Sequence, residues 1–236
     1  QTKGLSRHND GVNNLPTDTP GDEQDYTVVD HMVNTALWEI SILESLDFDL
    51  IKISMKAFDI STTIKAYERI SKLVPYPLHL GITEAGTFRS GSIRSAIGIG
   101  SLLYSGIGDT LRVSLSDDPT KEVSTGIEIL KSLGLRKTGA ILVACPSCGR
   151  ADVDIRKLAN QIDEIIRDRK SNIKVAVMGC EVNGPGEAKD ADVGIAAGVG
   201  RAVIFRKGKK TKIVEESEML PILMQEIALA EKEVVN

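Results

Sequence analysis

An α/β fold with parallel strands is predicted for this chain by three features of its sequence. Short β-patterned runs alternate with longer runs whose apolar residues recur every three or four positions. That alternation is what crossover helices between parallel strands require. Capping and stop residues punctuate the helical runs. Finally, 42% of the 236 residues are hydrophobic and 26% charged, enough for one large or two modest domains with real cores.

The elements follow in order. Residues 1–24 are polar and turn-rich and read as a poorly ordered lead-in. From about residue 25, Val29, Met32, Val33, Ala36, Leu37, Ile40 and Leu43 form one apolar helical stripe. Residues 50–56 read as a strand. A helix is predicted over 61–73, with Ser61 as its N-cap and Ile64, Tyr67 and Ile70 inward. Strand 77–82, helix 90–105 and strand 110–115 come next. The helix over 119–133 takes Asp117 or Asp118 as cap, Pro119 in its first turn and Gly134 as its stop. Residues 136–139 read as a linker. Beyond it come strand 140–144, a helix over 152–169, and strands 173–178 and 193–196. A hairpin over 202–214 turning at Lys207-Gly208-Lys209 and a helix over 216–232, with Pro221 tolerable near its first turn, complete the chain.

Several function classes drop out. A net charge of −4 argues against nucleic-acid binding driven by bulk charge. No apolar run is long enough to cross a bilayer, and no signal-peptide pattern opens the sequence. Three cysteines are an odd count for a disulfide framework. Their clustering between Cys145 and Cys180, with Cys145-Pro-Ser-Cys148 as a C-x-x-C, favours metal ligation over unrelated thiols. Each cysteine site follows an apolar strand, and ligands of open α/β sheets sit beyond the carboxyl ends of strands.

A fourth ligand is needed, and His8, His31 and His79 all lie in the other half of the chain. Glu187 is the nearest candidate, because Gly184-Pro185-Gly186 can turn the chain back toward Cys180. Zinc and iron–sulfur both remain open on these residues. A hard carboxylate on one iron would make that iron exchangeable.

The first half carries a second constellation. Three successive strands end in polar groups: Lys56; Thr83 and Glu84; Arg112 and Ser114. One acid among two cations and two hydroxyls reads as an anion pocket with a proton donor. Arg112 can fork onto phosphate oxygens, and Lys56 serves as a point charge. His79 reads as a core or supporting histidine, Gly98-Ile99-Gly100 as helix packing, and Lys207–Lys212 as a solvated hairpin with docking of an acidic redox partner as its weaker reading.

Four motifs together resemble the 4-hydroxy-3-methylbut-2-enyl diphosphate synthase family. They are Pro77-Leu-His-Leu-Gly-Ile-Thr-Glu-Ala-Gly86, Gly108-Asp-Thr-Leu-Arg-Val-Ser114, Cys145-Pro-Ser-Cys-Gly-Arg150 and Val175-Ala-Val-Met-Gly-Cys-Glu-Val-Asn-Gly-Pro-Gly-Glu-Ala188. The resemblance runs from about residue 25 to the end. It implies the C-terminal part of a TIM-type (β/α)8 barrel over 25–136 and a smaller α/β iron–sulfur domain over 139–236. A 4Fe–4S cluster on Cys145, Cys148, Cys180 and Glu187 is also implied, settling iron over zinc.

The implied reaction is a two-electron reductive ring opening of 2-C-methyl-D-erythritol 2,4-cyclodiphosphate with loss of water. The electrons would come from flavodoxin or ferredoxin. Glu84 would be the acid–base residue, Lys56, Thr83, Arg112 and Ser114 would hold the diphosphate, and Asn183 would contact substrate. The family implies a homodimer in which the cluster domain of one subunit covers the barrel of the other. Cytoplasm is the default location, with a plastid as the alternative. The earlier barrel strands of the family are missing here. The sequence therefore reads as a fragment, expected to be poorly soluble and inactive alone. A zinc-stabilised module without catalysis is the competing reading. Strand-end Lys56, Glu84 and Arg112 argue against it.

Overall fold

The computed structural model describes residues 27–146, 148, 151, 153–180, 186 and 188–234. The lead-in predicted over 1–24 lies outside them. The chain divides into two compact units, up to Arg136 and from Lys137.

In the first unit, α1 (Val28–Ser45) opens on a capping box. Thr27 accepts from the Asp30 amide, and the Asp30 carboxylate accepts from the Thr27 amide. The Thr27 hydroxyl, the Thr27 amide and Arg69 all donate to the Asp30 carboxylate and hold it down to about 2, so the cap stays ionised far into acid. The second helix, α2 (Ile60–Ile70), starts one residue earlier than predicted. Its N-cap is Asp59, whose carboxylate accepts from the Thr62 amide at 2.6 Å, and Ser61 sits inside the first turn. A carboxylate at the positive end of the helix is at least as good a cap as a hydroxyl.

Strand β1 (His79–Gly81) pairs in parallel with β2 (Thr110–Arg112), Gly81 opposite Arg112. Both are shorter than predicted. Between them runs α3 (Phe88–Tyr104), and after β2 comes α4 (Pro119–Ser132), which has Asp118 as its cap and Pro119 in the first turn. The strand predicted over 50–56 reduces to a single parallel bridge, Ile53 to Leu78. At and just past its end, two donors go to helix side chains instead. The Met55 amide donates to the Tyr67 hydroxyl at 3.0 Å, and that hydroxyl donates to the His79 carbonyl. Next along, the Ala57 amide donates to Thr63 Oγ1 at 3.2 Å. Tyr67 thus stands where the next rung of the ladder would form.

Fully buried, Tyr67 packs with Val33, Ile70, Leu80, Ile99 and Leu102 in the core of this unit. Burial pushes its phenol above the ordinary tyrosine range, so it remains a donor at neutral pH. Tyr67→Phe should therefore lower stability by about 1–3 kcal/mol, the cost of stranding a buried donor and acceptor, read by urea unfolding. No loss would mean that Met55 and His79 close a direct rung. Ser95 Oγ, on the buried face of α3, is without a hydrogen-bond partner among the described residues. Ser95→Ala is expected to raise stability by about 1 kcal/mol in the same measurement.

The second unit is a five-stranded sheet in the order β3 (Ile141–Ala144), β4 (Lys174–Met178), β5 (Val193–Gly198), β6 (Arg201–Arg206), β7 (Lys209–Glu215). The first three strands are parallel, and β5–β6–β7 are antiparallel. Alternation sorts the side chains. Val175, Val177, Val193 and Ile195 join a core with α5 (Ile155–Ile166) and α6 (Met219–Val234). Ala176, Met178, Ala196 and Phe205 face the other way, against Ala188 and Ala191. The stripe of α6 is Met219, Leu223, Ile227 and Ala230, and a short 3₁₀ turn, Glu216–Glu218, precedes it. The basic hairpin is not wholly solvated: Lys212 Nζ lies 2.8 Å from the buried carboxylate of Glu226. Among the described residues, no helix is long and apolar enough to cross a membrane.

Candidate functional site

In the first unit the three predicted polar groups lie at one end of neighbouring parallel segments. Thr83 and Glu84 follow β1, and Ser114 lies just past β2, which ends at Arg112. The Thr83 amide donates to the Ala57 carbonyl at 3.3 Å, tying the end of β1 to the segment that carries Lys56. Gly81 makes the crossing possible. A Cβ there would stand 3.1 Å from Lys56 Cδ and 3.1 Å from the Arg112 carbonyl oxygen. The lysine stem lies across this bare backbone toward β2. Lys56, Thr83 and Ser114 are half-buried, and Glu84 and Arg112 are exposed.

Glu84 has a left-handed backbone, φ 55°. That conformation costs a non-glycine residue about 1–2 kcal/mol and is maintained only by its surroundings. Lys56 and Thr83 also line a groove of about 650 Å³ beside α1, together with Thr35, Glu39, Lys52 and Ser54. Glu84, Arg112 and Ser114 are not in its lining. His79, read as a supporting histidine, meets Thr110 Oγ1 through Nδ1 at 2.8 Å, and burial followed by nearby Lys52 lowers its pKa. Gly98 packs α3 onto Ile82, as helix packing requires.

In the second unit, Cys145 and Cys180 follow the carboxyl ends of the paired strands β3 and β4. The Cys145 amide donates to the Val177 carbonyl at 3.1 Å, and the Gly179 amide donates to Cys145 Sγ at 3.1 Å. Gly179 is another close approach, since a Cβ there would stand 3.1 Å from the Ala151 Cβ. Cys145 and Cys180 are half-buried, and Cys148 is exposed. Among the described residues, no three His, Cys, Asp or Glu side chains converge to hold a metal. Glu187 and Asn183 lie outside the described residues. The donor set nevertheless fits an iron–sulfur group. All three sulfurs are free thiols, two follow one end of adjacent strands, and a backbone N–H already points at one of them.

Two family models match the chain: the GcpE TIM-barrel domain over residues 11–127, and the GcpE protein C-terminal domain over residues 141–229. The chain belongs to the GcpE family. Its fold is accordingly part of a TIM-type barrel followed by an α/β domain. Curated relatives of this GcpE chain carry the name 4-hydroxy-3-methylbut-2-en-1-yl diphosphate synthase (flavodoxin). The one from Dehalococcoides mccartyi is 56% identical over 220 residues, 92% of this chain and 62% of the relative. The one from Bacillus subtilis is 50% identical over 208 residues, 88% of this chain and 55% of the relative. The one from Caldanaerobacter subterraneus is 54% identical over 202 residues, 86% and 57% of the two chains. This GcpE chain thus spans about three-fifths of the length of the curated relatives it matches.

Sequence reasoning missed three features near these GcpE residues: the bare crossing at Gly81, the Tyr67 relay, and the packing of Arg94 and Phe58 beside the Glu84 turn. Only the glycine leaves a trace in sequence. Its place inside an apolar strand is the usual mark of a close backbone approach.

Proposed function

We propose that the protein acts in the reductive ring opening of 2-C-methyl-D-erythritol 2,4-cyclodiphosphate to 4-hydroxy-3-methylbut-2-enyl diphosphate, with release of water. The observation that carries this reading is the set of strand-end groups, an acid with two cations and two hydroxyls, in a chain whose relatives are named as this synthase.

Lys56 and Arg112 would bind the diphosphate oxygens, the arginine as a fork and the lysine as a point charge. Thr83 and Ser114 would donate hydroxyl hydrogen bonds to the same group. Glu84, exposed at the end of β1, would give a proton to the departing hydroxyl, so that it leaves as water. Asn183 would contact the substrate.

Cys145, Cys148, Cys180 and Glu187 would hold a 4Fe–4S cluster, which when bound would pass on, one at a time, the two electrons that the reduced donor supplies. The Gly179 amide would remain as a hydrogen-bond donor to the Cys145 sulfur. Flavodoxin is the proposed electron donor, in keeping with the relatives' name, and ferredoxin the other candidate from the resemblance. A homodimer in the cytoplasm belongs to the same proposal.

The test is turnover. The synthase carrying this sequence, loaded anaerobically with iron and sulfide, is given the cyclic diphosphate and reduced flavodoxin, and phosphorus NMR follows the substrate. Conversion to the linear diphosphate is the expected result. A loaded, reducible protein that leaves the cyclic substrate intact would overturn the reading.

A further inference from the structure

Glu84 needs an explanation that the proposed chemistry does not supply: what keeps an exposed glutamate at φ 55°. The turn that carries it runs from Thr83 to Gly86, and Gly86 is also left-handed, at φ 105°. Two such residues in three make a turn that relaxes unless it is tied down.

The ties can be named. At one end the Thr83 amide bonds the Ala57 carbonyl, and at the other the Gly86 carbonyl accepts from the Ser116 amide at 2.9 Å. Between them, next to Glu84, the Ala85 carbonyl accepts from Arg94 Nη1 at 2.8 Å. Arg94 is on α3, nine residues on. Its guanidinium lies over the ring of Phe58, 5.1 Å from the centroid. Phe58 follows Lys56 by two residues, so the contact joins the Lys56 segment, α3 and the Glu84 turn. A Cβ added at Gly86 would stand 3.4 Å from Arg94 Nη1 and 2.9 Å from Ser90 Oγ, leaving the turn little room.

We infer that Arg94, with its guanidinium over the Phe58 ring, is a positioning residue. It fixes the left-handed Glu84 turn through the Ala85 carbonyl and so sets where the carboxylate stands. A guanidinium suits this task, because its flat face stacks on a ring while its edge donates to a carbonyl. Lysine has no such face and edge. The assignment of a catalytic consequence rests on the function proposed above, but the mechanical claim does not.

Two measurements keep these apart. Hydrogen exchange by mass spectrometry on the full chain, wild type against Arg94→Met and Arg94→Lys, reads the turn directly and needs no activity. Faster exchange in the peptide covering 83–88, by about tenfold for loss of one such bond, is expected for Arg94→Met, with the core strands unchanged. Phe58→Leu should give a smaller rise in the same peptide. Unchanged exchange there in all three folded variants overturns the positioning role.

Kinetics then test the consequence, in the synthase carrying this sequence. Arg94→Lys should lower kcat by about 100-fold, the typical cost of misplacing a reacting group by an ångström. KM should move less than about threefold, because the proposed diphosphate anchors Arg112 and Ser114 lie on another segment and Thr83 keeps its own tie to the Ala57 carbonyl. A raised KM with kcat unchanged overturns the link to Glu84. A wild type without turnover on the cyclic diphosphate defeats the proposed function, while the exchange result still decides whether Arg94 holds the turn.

Discussion

Glu84→Gln is expected to reduce kcat by about 10²–10⁴-fold, the usual worth of a positioned general acid. The substitution keeps the length, planarity and hydrogen-bonding outline of the side chain and removes only its ability to pass a proton. The left-handed backbone is no harder for glutamine than for glutamate, so the turn should survive. KM for the cyclic diphosphate should change less than about threefold, since the groups proposed to hold the phosphates are Lys56, Thr83, Arg112 and Ser114. Steady-state kinetics with the reduced donor in excess separates the two constants. A fully active glutamine variant would remove Glu84 from the acid role. A variant with normal kcat and raised KM would make it a binding group.

The other large effect falls on the second unit. With iron and sulfide supplied anaerobically, the wild type should bind about four irons per chain and turn brown, as a cubane cluster requires. Cys145→Ser should hold less than about one iron and stay colourless, because a serine oxygen replaces a sulfur that the Gly179 amide already addresses. Glu187→Ala should still load, since three thiolates remain, but lose iron faster to a chelator. A colourless wild type with one bound zinc would end the cluster assignment and restore the structural zinc module as the reading. Normal loading of Cys145→Ser would take that sulfur off the metal.

Much of the fold was legible from pattern. The apolar stripes of α1 and α5, the cap at Asp118 and the turn at Lys207-Gly208 are local properties, visible wherever a period of three to four or a turn residue occurs. Where the reading slipped, a competing local or nonlocal partner won. Asp59 outcompetes Ser61 because both can cap and only one carries charge. Residues 50–56 have the composition of a strand, but past the Ile53 bridge Tyr67 and Thr63, both on α2, take the amides of Met55 and Ala57.

The candidate site divides along the same line. The residue types and their order were readable, because strand ends and glycine turns are local in sequence. Their spacing in three dimensions was not. Lys56 and Arg112 are 56 positions apart, and the absent side chain of Gly81 leaves room for the lysine stem beside the backbone that pairs with Arg112. The grip of Arg94 on the Glu84 turn is likewise invisible in a string where Arg94 reads as an ordinary surface residue of a helix.

By itself, then, the sequence determined the alternation of strands and helices, the family and the chemical character of the strand ends. All three depend on residue type and short spacing. Only the tertiary structure decided which backbone groups remain for strand pairing, where the lysine stem crosses, and what holds an acid in a strained turn. Each of these depends on side chains distant in sequence competing for the same few ångströms.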